Sequence, residues 1–265
     1  MKFLARGEVI MSASPEGQKY LSIVKELLEK IEKEQSENID RAAELMANAI
    51  ADDRLIHYFA AGGHTWMVVM EAFWRAGGLA CINPWFDLGI TLYNQAWHGC
   101  LLERLTGYGK AIVEYYSSFT KPGDVLVITS NIPYMVIPVE VAMECKKIGM
   151  KIVSIGSREW QEKAPKDTPS RHPSGKSLVE LSDIFIDDYN PYGDAVIKLE
   201  GLEQPIAPVS SITDCYIVER LLIETVKKLL QKGVEPPVFR SANVPGGDEF
   251  NKKLLAKYLN RVKWL

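Results

Sequence analysis

The sequence predicts an α/β protein. It reads as a flavodoxin-like three-layer sandwich with a parallel sheet of about five strands, preceded by a long N-terminal helical segment. Three observations predict it. Leu55-Ile56-His57-Tyr58-Phe59-Ala60-Ala61 is an apolar strand that runs into the turn Gly62-Gly63-His64-Thr65 and then a helix, as expected for a parallel strand covered on both faces. The pattern repeats at Pro122-Gly123-Asp124, where a β-branched run Val125–Thr129 leads through Ser130-Asn131 into a helical stretch over 136–148. Strands and helices then alternate along the rest of the core, which calls for a parallel sheet with right-handed crossovers. The flavodoxin-like strand order is favoured over the dinucleotide order because no Gly-x-Gly-x-x-Gly is present and Trp66 would crowd a pyrophosphate. The Gly-x-x-x-x-Gly-Lys-Ser/Thr pattern is absent too, so no nucleotide cofactor is expected.

The elements follow in order. Three regions are read: a helical segment over 1–52, an α/β core over 53–232 and a tail over 233–265. A helix begins within Ser12 to Glu16. Tyr20, Leu21, Val24, Leu27, Leu28 and Ile31 recur at helical spacing, and Ile39, Ala42, Leu45, Met46, Ala49 and Ile50 resume the stripe. Ser36-Glu37-Asn38 between them leaves one long helix or a helix pair, packed on a partner subunit or across its own sheet. Residues 67–76 read as a helix ended by Gly77-Gly78, and 79–83 as a short strand. Residues 84–99 are irregular and aromatic-rich, and 101–116 are helical. Residues 151–155 form the next strand, followed by a long polar loop over 156–176, of a size that is usually functional or disordered. A strand over 184–186 ends at Asp187-Asp188, and a second long loop covers 189–208. A long helix over 209–232 and a short one over 249–261 complete the chain.

Composition excludes several classes. The chain of 265 residues suits one α/β domain with embellishments. A net charge of -3 gives no basic excess for nucleic acid or membrane surfaces. Cys81, Cys100, Cys145 and Cys215 are scattered without a Cys-x-x-Cys pair, which argues against structural zinc and for free thiols in a reducing compartment. The apolar patch of Met1 to Ser12 is interrupted by Glu8, is too short to span a membrane and resembles neither signal peptide nor anchor. A cytoplasmic protein is expected.

Two strand–turn–helix units place two loops at the carboxyl edge of one sheet, where ligands bind in open α/β folds. Gly62 and Gly63 allow unusual backbone angles, and Thr65 can cap the following helix, whose N-terminus is a seat for an anion such as phosphate. An ordinary turn without a ligand is the alternative. His64 sits at the turn, and His98 lies among aromatics. His57, mid-strand, reads as a satisfied core histidine. Glu103 either reaches the site or pairs with Arg104 or Arg75. Asp87, Asp187, Asp188 and Asp194 match no metal-ligand spacing with His64 or His172, so no metal is expected. Ser210 and Ser211 open the long helix after Pro208 and read as caps.

Several segments carry a resemblance: Gln35-Ser36-Glu37-Asn38-Ile39 with Ala42–Leu45, Arg75–Ala80, Leu102–Leu105, Ser170–Lys176, Gly193-Asp194-Ala195 and Gly233 through Asn243. On these the chain resembles the SIS (sugar isomerase) domain family, and within it an uncharacterised bacterial branch related to phosphoheptose isomerases. The resemblance implies that Gly62, Gly63, His64 and Thr65 hold the ligand's phosphate together with Ser130 and Asn131, with Ser210 and Ser211 as secondary contacts. The second loop departs from the pattern: relatives have Ser-Asn-Ser-Gly where this chain has Ser130-Asn131-Ile132-Pro133. A hydroxyl is lost, and Pro133 brings no N–H. The implied activity is a sugar-phosphate isomerase of the aldose–ketose type, which needs acid and base groups on adjacent carbons and oxygens. Glu71 lies near the helical position where the heptose isomerases carry a functional histidine. His172 sits in a polar loop with Ser170, Arg171, Ser174 and Lys176. These two are the expected acid/base pair. Assembly as a homodimer or homotetramer is also implied. A non-catalytic sugar-phosphate-binding module or metabolite sensor is the alternative, favoured by the altered loop.

Overall fold

The structure is a computed structural model and describes residues 14–265; the patch of Met1 to Ser12 lies outside the described residues. In chain order the elements are α1 (Pro15–Ala51), β1 (Ile56–Ala60), α2 (Trp66–Ala72), β2 (Ile82–Pro84), α3 (Ala96–Leu102), α4 (Tyr108–Tyr116), β3 (Val125–Thr129), α5 (Val136–Lys147), β4 (Lys151–Gly156), α6 (Arg158–Lys163), α7 (Leu178–Leu181), β5 (Ile184–Asp187), β6 (Ala195–Ile197), β7 (Ile206–Pro208), α8 (Ser210–Gln231) and α9 (Gly247–Tyr258).

Five strands form one parallel sheet in the order β2-β1-β3-β4-β5. This is the flavodoxin-like order. Every residue of β1, β2, β3 and β5 is buried, which is why these strands read as continuous apolar runs without alternation. Helices α1, α2 and α8 pack together on one face, and α4, α5 and α7 on the other. The division follows from right-handed crossovers: the step from β1 to β2 moves one way along the sheet and the later steps move the other way.

Helix α1 is a single helix of 37 residues that runs through Ser36-Glu37-Asn38 without a break. The Ser14 hydroxyl accepts the Gly17 N–H at 3.1 Å, and Pro15 occupies the first turn, where its missing N–H costs nothing. The second half of α1 buries Ile31, Ile39, Ala42 and Met46 against its own core. Its first half is largely exposed.

Elsewhere the structure moves boundaries for identifiable reasons. Helix α2 stops at Ala72, short of residue 76. Trp74 adopts a left-handed φ of 55° there and packs edge-on against Phe239 of the tail. Leu79 bridges antiparallel to Val238 and lies outside β2. The helix read over 101–116 splits into α3 and α4 around Gly107, at φ 93°. The two long loops hold α6 and the antiparallel hairpin β6–β7.

His57 is a core histidine. Its Nε2 lies 3.2 Å from Asp124 Oδ2, and its Nδ1 accepts the Trp85 indole N–H at 2.9 Å and faces the Asn83 amide at 3.0 Å. Two donors on Nδ1 fix the proton on Nε2, and burial pushes the ring's pKa down. All four cysteines are free, with Cys81 and Cys145 buried. No helix among the described residues is long and apolar enough to cross a membrane.

Candidate functional site

The carboxyl ends of β1, β3, β4 and β5 carry the loops that sequence reasoning selected. The first turn needs a glycine at its first position, Gly62. Gly62 has φ 106°, and a Cβ on Gly63 would come within 2.6 Å of the Leu92 side chain. Thr65 does not cap α2. Its hydroxyl donates back to the carbonyls of Ala61 at 2.7 Å and Gly62 at 2.6 Å. The N–H groups of Thr65, Met67 and Val68 close turns on Gly62, His64 and Thr65. The Gly62 N–H is directed at the carboxyl of Glu103, which is almost fully buried. Burial pushes Glu103 up to about 7, opposed by that N–H and by Arg104. His64 is exposed at the turn.

The second loop is similarly committed. Ser130 is fully buried and donates its hydroxyl to the Ile132 carbonyl at 3.0 Å. The Asn131 amide donates to Asp188 Oδ2 at 3.2 Å. Gly156 at the end of β4 permits this crossing, because a Cβ there would lie 2.3 Å from the Ser130 carbonyl oxygen.

The third place is the start of α8. Asp194, at a left-handed φ of 64°, accepts the N–H groups of Val209 at 3.0 Å and Ser210 at 2.9 Å, and the Ser210 hydroxyl at 2.7 Å. The cap of α8 is therefore Asp194, with Ser210 as its donor and Ser211 half-buried beside it. All three elements expected to hold an anion already face a carboxylate of the chain itself: Glu103, Asp188 and Asp194.

Behind Asn131 lies a buried polar cluster that sequence reasoning missed. Asp188 Oδ1 accepts the Asn190 N–H at 2.9 Å, and the Asn190 side-chain oxygen accepts the Thr213 hydroxyl at 3.0 Å. Asp214 of α8 is fully buried next to Asp188, and neither of its oxygens reaches hydrogen-bond geometry. Burial, then mutual repulsion, drives Asp214's pKa upward, and Asp188 is raised mainly by burial. The signal was available: Asp214 falls on the same helical stripe as Ile217, Val218 and Leu221, where a charge has no business unless paired or protonated.

The expected acid/base pair is not brought together within one chain. Glu71 lies on α2, half-buried, with Oε1 3.0 Å from Arg75. It faces Glu219 of α8, and the two line a small, partly open cleft with Tyr58 and Val218. Burial and the nearby Glu71 raise Glu219 above the usual carboxylate range. His172 sits on the α5 face of the sheet. Its Nδ1 is 2.6 Å from the Ser174 hydroxyl, and its Nε2 is 3.8 Å from Glu140, which caps α4 through the N–H groups of Gly107 and Gly109. His98 is exposed on α3. Among the described residues no group of three or more His, Cys, Asp or Glu is arranged to hold a metal ion.

Comparison with known proteins agrees with this architecture. The SIS domain profile matches residues 19–157. The UPF0309 protein of Thermoanaerobacter pseudethanolicus is 37% identical over 250 residues, spanning 93% of this chain and 98% of that protein. The UPF0309 protein of Shouchella clausii is 33% identical over 249 residues, spanning 94% and 98%. Among solved structures, the phosphoheptose isomerase of Neisseria gonorrhoeae superposes with a TM-score of 0.53 at 14% identity, covering 79% of this chain and 96% of that one. The phosphoheptose isomerase of Francisella tularensis gives 0.52 at 10% identity, covering 82% and 100%. At those identities the superpositions speak for the fold. With the profile match and the full-length relatives, they establish that the chain belongs to the SIS domain family, alongside the UPF0309 proteins.

Proposed function

We propose that this protein is a sugar-phosphate isomerase of the aldose–ketose type, or a closely related phosphosugar enzyme, with Glu71 as the proton-moving group. The observation that carries this reading is the facing pair Glu71 and Glu219. One comes from the helix that leaves the glycine turn and the other from the helix opened by Ser210 and Ser211. Burial and the facing Glu71 raise Glu219 above the usual carboxylate range, which suits Glu219 to the role of proton donor and leaves Glu71 that of proton acceptor. Moving a proton between adjacent carbons while serving the carbonyl oxygen requires that combination. The sugar's polar groups meet the Gly62–Thr65 turn, Asn131 and Ser211. His172, across the sheet, has no step in this chain's own site. The protein works as a homodimer or homotetramer, a reading supported by the exposed apolar strip of Leu92, Tyr93, Trp97, Leu101 and Leu105 beside the turn.

One observation favours a second reading, a non-catalytic sugar-phosphate-binding module. Ile132-Pro133 removes donors, and Glu103 and Asp194 answer donors that a phosphate would use. A ligand that must displace them suits a slow binding switch better than rapid turnover.

The test is thermal unfolding against a panel of sugar phosphates, each beside its unphosphorylated sugar, followed by isomerase assays. A ligand at 100 times its dissociation constant adds about 2.7 kcal/mol, a shift of several degrees. The enzyme reading expects a shifted sugar phosphate to be interconverted, with Glu71→Gln lowering kcat by roughly 10²–10⁴. Binding without turnover selects the module, and a shift with neutral sugars alone overturns both.

A further inference from the structure

The tail segment Gly233 through Asn243, prominent in the sequence, contributes nothing to the sheet-edge site. It builds a different place. Val238 and Phe239 pair with the chain between α2 and β2: Gly77 donates to the Phe239 carbonyl at 2.8 Å, and Phe239 donates to the Gly78 carbonyl at 2.9 Å. The next residue is locked from both sides. The Arg240 N–H donates to Asn251 Oδ1 at 3.0 Å, and Asn251 Nδ2 donates to the Arg240 carbonyl at 2.9 Å, with Asn251 itself buried. Gly247 lets α9 close on this segment, since a Cβ there would lie 2.0 Å from the Ser241 carbonyl oxygen.

The result is an open cavity of about 190 Å³, lined by Trp74, Arg75, Phe239, Arg240, Ser241 and Asn243. Two features of its lining point to a ligand. The Arg240 guanidinium lies over the Phe250 ring, 3.9 Å from its centroid, and forms no ion pair among the described residues. Arg75 is matched by Glu71, which leaves the solvent-exposed Arg240 as the pocket's one cation without a carboxylate partner among the described residues. Trp74 is 56% exposed although its backbone is held at φ 55°. A bulky side chain in the left-handed region costs energy and persists only where the surroundings enforce it, a pattern that concentrates at ligand sites. The enforced conformation stands an indole against the cavity with Phe239 braced edge-on at 5.0 Å.

We propose that this pocket is a second binding site, for a small ring-bearing oxyanion whose ring rests on Trp74 and whose phosphate or carboxylate pairs with Arg240. Guanidinium binds either oxyanion in the same forked geometry. Ser241 and Asn243 supply polar contacts for ring substituents. The proposal does not require the protein to be an isomerase, although Arg75 on the pocket wall also pairs with Glu71.

The test uses the intact protein and four probes: phenyl phosphate, benzoate, inorganic phosphate and benzyl alcohol. Binding is followed by calorimetry with tryptophan emission in parallel. The expected result is saturable binding of phenyl phosphate, benzoate or both, at least about tenfold tighter than benzyl alcohol or inorganic phosphate, a difference of about 1.4 kcal/mol. Preference between the two anions identifies the oxyanion. Trp74→Phe removes the emission change, and Arg240→Gln weakens binding about tenfold. Arg240→Lys keeps the cation without the fork and falls between, which guards against a misfolded glutamine variant. Equal binding of benzyl alcohol, affinity unchanged in both Arg240 variants, or no saturation by either ring anion overturns the site.

Discussion

Replacing Glu103 by glutamine tests whether the glycine turn is answered by a buried carboxyl. Glutamine keeps the side chain's shape, and its carbonyl still accepts the Gly62 N–H. The Glu103 carboxyl is raised from 4.5 to about 7, mainly by burial. The folded state therefore holds this proton more tightly than the unfolded chain. Between pH 4.5 and 7 the folded form binds more protons, so stability falls as pH rises through that window and stays lost above it. At about 1.4 kcal/mol per pH unit, the penalty reaches roughly 3 kcal/mol above pH 7. Glu103→Gln carries no such penalty. Urea unfolding of both proteins at pH 5, 6, 7 and 8 should show nearly equal stability at the acid end and a variant that is more stable by roughly 3 kcal/mol at the alkaline end. Asp188 and Asp214 titrate in both proteins and cancel in the difference. A difference that stays flat with pH, or a variant less stable at pH 8, refutes the placement of an ionisable buried carboxyl at this turn.

Two further substitutions probe the loops around the site. Asp194→Ala strips the start of α8 of three hydrogen bonds and should cost about 2 kcal/mol in urea unfolding, whereas Asp194→Asn keeps the Oδ1 acceptor for the two N–H groups, loses the one facing the Ser210 hydroxyl, and tolerates the left-handed backbone at smaller cost. A change in Asp194→Ala no larger than in Asp194→Asn sinks the capping account. Gly156→Ala drives a methyl to 2.3 Å from a backbone oxygen that cannot move aside; a loss of roughly 3 kcal/mol or more is expected, read as a collapsed melting midpoint, and a near-neutral variant contradicts the close approach of β3 and β4.

The strand order was legible because each core strand is a short run of β-branched and apolar residues set between turns, and handedness removes most alternative topologies. What escaped reading depends on distant partners. Nothing within 67–76 says that α2 must stop at Ala72, because the stop is imposed when Phe239 docks beside Trp74. Glu71 was visible as a carboxylate near the turn, but Glu219 gains meaning only once α8 lies against α2. The glycine turn, Asn131 and Ser210 were found as a set of donors, and the structure keeps them at one edge. Their local sequence counts donors without revealing what answers them. Glu103 arrives from α3's end, Asp188 from β5's end and Asp194 from the hairpin. Gly193-Asp194-Ala195 illustrates the consequence. As a resemblance it marked only the family, whereas in the fold its aspartate holds the cap of α8 in a backbone conformation few residues accept. A motif of this kind marks where a loop is shaped for a helix start, and a ligand acts there only by competing with that aspartate.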